Sequence, residues 1–169
     1  NGVPGGLTAT LIETDGATPE TGTTVNVSAP GGTTIYSAAS VSLGTSITEV
    51  NDAPVVANDS ASLAEVDEDT TNPPGETVSA LFGTKFSDAT DQITAAVSGG
   101  SVADTLYGVA ITANAAASEQ GTWEYYDGTS WTAVGSPSAA TALVVQQEHK
   151  LRFVPAANFN GVPGSLTVT

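Results

Sequence analysis

The sequence predicts an all-β protein whose strands fold as an antiparallel β-sandwich. Three observations carry this. Apolar and polar residues alternate with a period of two along the whole chain, no stretch of eleven or more residues combines a helical period with caps, and Gly, Pro, Asn or Asp separates most of the alternating runs. The 169 residues contain 40% apolar residues but only 6% aromatics, with Ala and Val scattered among Thr, Ser and Gly. That composition is too apolar for a disordered acidic tail and suits many short strands.

Taken in order, the alternation places strands at 7–12, 24–28, 33–37, 41–49, 55–58, 77–82, 93–98, 106–113, 121–126, 130–134, 142–147, 150–154 and 165–169. The clearest pair is Trp123-Glu124-Tyr125-Tyr126 and Ser130-Trp131-Thr132-Ala133-Val134, because Asp127-Gly128 between them supplies the positive φ of a hairpin turn. Trp123 and Tyr125 then share one face. In 150–155 the alternation turns Leu151 and Phe153 inward and both Lys150 and Arg152 outward, and Pro155 ends the strand. The Ala-rich stretch 113–118 is the one place that suits a helical turn.

The chain also repeats itself. Residues 1–10, NGVPGGLTAT, match residues 160–169, NGVPGSLTVT, at eight of ten positions, with an offset of 159 residues. A period of that size is a whole domain, unlike the short units that stack into solenoids, so a tandem array of beads is expected. Pro54, after the turn-forming pair Asn51-Asp52, marks a linker in 49–59. Residues 1–50 then read as the C-terminal strands of one repeat unit, and 51–169 as the N-terminal and central part of the next.

Three Lys and Arg against eighteen Asp and Glu give a net charge of −15, which leaves no cationic surface for nucleic acid or anionic lipid. No run of eighteen apolar residues occurs, so no membrane insertion is expected. Cysteine is absent, which removes disulfides and thiolate sites together. Methionine is absent too, and the start has no signal-peptide pattern, so the chain reads as an internal piece of something longer.

Several segments together carry a family pattern: VNDAPV (50–55), EDT (68–70), LFGTKFSD (81–88), GVAIT (108–112), GTWEYYDGTSW (121–131), LRFVPAANFNG (151–161) and GGTTIYSAAS (31–40). In this the chain resembles the cadherin-like, immunoglobulin-like tandem repeats of giant bacterial RTX-type surface adhesins. The resemblance implies β-sandwich modules, calcium near module junctions, type I secretion, and an extracellular stalk on the bacterial cell surface that serves adhesion and biofilm formation. The glycine-rich nonapeptide of the RTX β-roll is missing, so the chain is not that region. Asp88 and Asp91 also stand one residue further apart than the Asp-x-Asp of many cadherin-like modules.

Ten of the eighteen acids lie in 49–91, opposed there only by Lys85. Calcium takes six to eight oxygens from carboxylates, carbonyls and Asn side chains, and clustered acids on loops supply them. The preferred metal ligands are Asn51 and Asp52 from the linker, Glu68 and Asp69 from the EDT turn, and Asp88 and Asp91 after Phe86. Plain solvated acidic loops are the alternative reading. Asp67 suits a free surface acid, and Glu13 with Asp15 suits a type I turn.

No catalysis is expected. His149 sits in a polar turn that reads as exposed, and no Gly-x-Ser-x-Gly, phosphate loop or dinucleotide fingerprint occurs. The rival to a stalk is a carbohydrate-binding module that uses Trp123, Tyr126 and Trp131 in the hairpin 121–134, since aromatic faces stack on sugar rings. The expected partners are neighbouring repeats of the same chain, or another copy by strand exchange.

Overall fold

The computed structural model describes residues 5–14, 18–48, 50–57, 60–93 and 100–169. The strands in chain order are β1 (Leu7–Ile12), β2 (Tyr36–Leu43), β3 (Val55–Val56), β4 (Glu76–Thr77), β5 (Phe86–Ser87), β6 (Gly108–Asn114), β7 (Gly121–Tyr126), β8 (Trp131–Ala133), β9 (Leu143–Gln146), β10 (Lys150–Pro155) and β11 (Leu166–Val168). One five-residue helix, α1 (Val78–Phe82), and a 3-10 turn at Gly83–Lys85 lie between β4 and β5. The protein is therefore all-β, in antiparallel sheets.

Packing divides the chain into two compact units, Asn1–Asn51 with Asp91–Val102, and Asp52–Thr90 with Ala103–Thr169. The assignment of 91–102 to the first unit has no counterpart in a linear reading, because it depends on contacts distant in sequence. Within that segment the Ile93 N–H donates to the Ser101 carbonyl at 3.1 Å, and Ser101 Oγ donates to the Asp91 carbonyl.

In the first unit β1 and β2 pair antiparallel, Leu7 opposite Leu43 and Ala9 opposite Val41, with an irregularity between Thr10 and Ile12. The expected strands 33–37 and 41–49 are in fact one strand, β2. Thr34 belongs to a turn instead, its N–H donating to the Gly31 carbonyl at 3.2 Å. The expected strand 24–28 does not form, because the Asn26 side chain accepts from the Ser28 N–H at 3.0 Å and closes a local turn. The expected strand 93–98 falls almost wholly outside the described residues.

The second unit holds two larger sheets, in the orders β4-β10-β7-β8 and β11-β6-β9, and a small β3-β5 pair. Both larger sheets contribute to a single core. Val109 and Ile111 of β6, Val145 of β9, Leu151 of β10, Val134 after β8 and Val78 of α1 are buried together, with Trp123, Tyr125, Leu166 and Val168 packed against them. Trp123 and Tyr125 thus share the core side, as the alternation requires. They stand opposite Phe153 and Leu151 across the ladder, and the Trp123 and Phe153 rings meet edge to face at 5.2 Å.

The expected strand 77–82 is helical instead. Thr77 caps it by accepting the Ala80 N–H at 3.2 Å, and the turn buries Val78 completely. No helix forms at 113–118. Asn114 Oδ1 takes the Ala116 N–H, and Gln120 Oε1 takes the Ala117 N–H, so side chains displace the helical ladder. Gly121 opens β7 at φ +140, where an added Cβ would run into the Val154 carbonyl.

Ile111 is fully buried and Val144, nearby on β9, is 59% exposed. Urea unfolding should show Ile111→Ala losing about 2–5 kcal/mol. Val144→Ala should change stability by no more than about 0.5 kcal/mol.

Candidate functional site

The non-core face of the β4-β10-β7-β8 sheet carries a connected set of polar and aromatic contacts. Arg152 stands opposite Glu124 in the ladder, and its Nε and Nη2 both meet Glu124 Oε2 at 2.7 Å. Its Nη1 donates to Asn72 Oδ1 at 2.7 Å and to the Pro73 carbonyl at 3.2 Å. The guanidinium carbon lies 4.0 Å from the centre of the Trp131 ring. A single side chain thereby joins two strands and the loop before β4. Gly75, at φ +64, lets that loop settle here, since an added Cβ would strike Trp131 and the Leu151 carbonyl.

This corrects one expectation. Arg152 does point away from Leu151 and Phe153, but it is only 8% exposed. Period two tells which face a residue takes, not whether a loop covers that face. His149, expected to be exposed, is half-buried between β9 and β10, its N–H donating to the Gln146 carbonyl.

The three aromatic residues considered for sugar binding divide between the faces. Trp123 packs toward the core and donates from Nε1 to the Gly164 carbonyl at 2.8 Å. Tyr126 and Trp131 face each other across β7 and β8, with centroids 5.3 Å apart and planes inclined by 46°. The tilt, and the guanidinium on one face of Trp131, leave no flat two-ring platform for a pyranose. The Tyr126 hydroxyl donates to the Gly128 carbonyl at 3.0 Å.

The Asp127–Ser130 loop at the tip of this hairpin is closed by charge. Asp127 Oδ1 accepts from the Thr129 N–H at 2.8 Å and the Ser130 N–H at 2.9 Å. Those bonds, Ser130's first, hold its carboxyl below the ordinary value, and the attraction of His149 adds a smaller contribution in the same direction.

The six expected metal ligands are divided between the two units. Asn51 and Asp91 belong to the first unit, whereas Asp52, Glu68, Asp69 and Asp88 belong to the second. Asn51 and Asp52 are exposed on the linker, and Glu68 and Asp69 are exposed in a turn closed by the Thr70 N–H on the Asp67 carbonyl. Glu68 Oε2 accepts from Asn160 Nδ2 at 3.3 Å. Asp88 is buried, and its Oδ2 accepts from the Asp104 N–H at 2.6 Å. Asp91 is also buried. Among the described residues no group of three or more His, Cys, Asp or Glu side chains is placed to hold a metal ion. Glu13 is described and Asp15 is not; Glu49 and Asp59 also lie outside the described residues.

Sequence reasoning passed over Arg152, Glu124, Asn72 and Gly75. One signal was available: Arg152 is one of only three Lys and Arg in the chain and sits inside an apolar strand, an unusual position for a cation that merely solvates a surface. Comparison with protein-family models, with characterised proteins and with solved structures gave no match.

Two outcomes test this face. Arg152→Met leaves Glu124 charged and partly buried, and should cost about 3–5 kcal/mol in urea unfolding; adding Glu124→Leu should recover most of that loss. The Asp127 loop has a defined pH sign. A carboxyl held below its ordinary value contributes stability above that value and loses it as pH falls through the lowered one. Asp127→Ala should therefore melt below the wild type at about pH 7, with the gap narrowing as pH falls below the ordinary carboxyl value of about 4.

Proposed function

We propose that the chain is part of the stalk of a secreted bacterial surface adhesin, a spacer whose immunoglobulin- or cadherin-like sandwich modules follow one another in tandem. The observation that carries this reading is the repeated decapeptide: a sequence identical at eight of ten positions enters strand β1 near one end and strand β11 near the other, 159 residues apart. Both larger sheets of the second unit share one core, which suits a sandwich module. The order of the segments that resemble RTX-type adhesin repeats points the same way.

The proposed role is mechanical, not catalytic. A row of beads holds an adhesive end away from the cell surface, and its neighbours are further repeats of the same chain. Calcium at the junctions belongs to the proposal through the resemblance and the ten acids of 49–91. The ion would draw on pairs such as Asn51 with Asp52 or Glu68 with Asp69, completed by carbonyl oxygens. An ion held between two modules would oppose their bending.

A protein carrying two successive 159-residue periods tests this. At calcium one hundred times the dissociation constant, each occupied site adds about 2.7 kcal/mol, so melting should rise with calcium and fall back with chelator. Small-angle scattering should give a longer, stiffer particle with calcium. Unchanged melting and unchanged length would remove calcium from the account, and tight binding of a single period to an immobilised glycan would replace the stalk with an adhesive module.

A further inference from the structure

The repeat shows one strand twice, with a different edge paired each time. The offset of 159 sets Leu7, Thr8, Ala9 and Thr10 on Leu166, Thr167, Val168 and Thr169. β11 pairs with β6 through its odd residues. The Ser165 carbonyl accepts from the Ala115 N–H at 3.0 Å, Thr169 exchanges both bonds with Ala110 at 2.9 Å, and Thr167 lies opposite Ala113. Alternation then turns the backbone groups of Leu166 and Val168 to the other edge, where β11 ends its sheet.

β1 uses that other edge. The Glu13 N–H donates to the Ile35 carbonyl at 3.0 Å, and the Leu11 N–H donates to Ser37 Oγ at 2.9 Å, both toward β2. The Tyr36 carbonyl points away from β1 and accepts from Gly31 at 2.8 Å, as the same parity requires. Counting back, Ala9 and Leu7 also face β2, and these are the counterparts of Val168 and Leu166.

We infer that the outer edge of β11 is a docking edge for the segment Tyr36–Leu43 of a second copy of this chain, with Leu43 opposite Leu166 and Val41 opposite Val168. The inference rests on the tandem part of the proposed function and on neither calcium nor adhesion. In a tandem parent the same strand would follow β11 in the chain itself, extending the β11-β6-β9 sheet to four strands, as many as in the sheet it packs with.

Side-chain chemistry fits the occupant. Val41 is 50% and Leu43 65% exposed where they stand. Directly opposed residues share a face, and Leu166 and Val168 pack against the core. Docked in this register, Val41 and Leu43 would extend that core. Neither 36–43 nor 165–169 contains a charged residue, so addition brings no like charges together in a chain of net charge −15. The 165–169 edge also lacks the lysine or proline that usually blunts an open edge.

The test uses the full 169-residue chain, in chelator, and a fluorescent synthetic peptide of residues 34–44. Saturable binding is expected, with amide exchange slowing at Leu166 and Val168. Backbone N-methylation of the peptide at Val41, whose N–H faces the partner strand, should weaken binding about tenfold or more, because a hydrogen bond is lost and a methyl inserted. N-methylation at Ser42, whose N–H faces away, should leave binding within about threefold. Absence of saturable binding, equal effects of the two methylations, or protection confined to other strands would each overturn the inference. Because no metal is present, none of these outcomes depends on whether calcium stiffens the junctions.

Discussion

A β-strand carries hydrogen-bonding groups along two edges, and burying it well requires that both be paired. That requirement organises the second unit. β10 is paired on both edges, by β7 and β4, and it supplies the buried Leu151 and Phe153. β6 is likewise flanked on both sides and supplies Ile111. β11 meets the requirement on one edge only. The nearly identical sequence in β1 meets it on the other, and in the proposed tandem array the two pairings would belong to one interior strand of a repeating module.

The exposure of the first unit follows from the same constraint. Leu7 is 63% exposed while its counterpart Leu166 is half-buried against the core. The difference lies in the surroundings, since the two residues are identical and their neighbours nearly so. Among the described residues β1 and β2 form a two-stranded pair, which is marginal by itself. The charge distribution adds a separate constraint. One of only three Lys and Arg, Arg152, is buried between Glu124, Trp131 and the Asn72–Pro73 loop. It fixes that loop on the sheet but leaves the acids of 49–91 without its charge, which is why a bound cation remains the natural proposal for them.

Much of the fold was legible in the period-two pattern. β1 and β7 have the expected bounds, and β6, β8, β9, β10 and β11 differ from expectation by no more than two residues at an end. The failures share a cause in local hydrogen bonding. Asn26, Thr77, Asn114 and Gln120 each offer the backbone a side-chain partner, and this ended or replaced the regular ladder. The site was far less legible. Alternation separates Trp123 from Tyr126 correctly, but nothing local reveals that the 72–75 loop covers Arg152 or that the Asp104 N–H caps the Asp88 carboxylate. Those contacts join residues 16 to 80 positions apart, where composition and spacing carry no information.

The most direct measurement concerns a rearranged polypeptide in which residues 52–169 are followed at once by residues 11–51, so that one 159-residue period is present with β2 after β11. If the repeated decapeptide is one interior strand, this polypeptide unfolds in urea as a monomer in a single cooperative transition, with a midpoint above that of the 169-residue chain. A lower midpoint, or two separate transitions, would contradict the account.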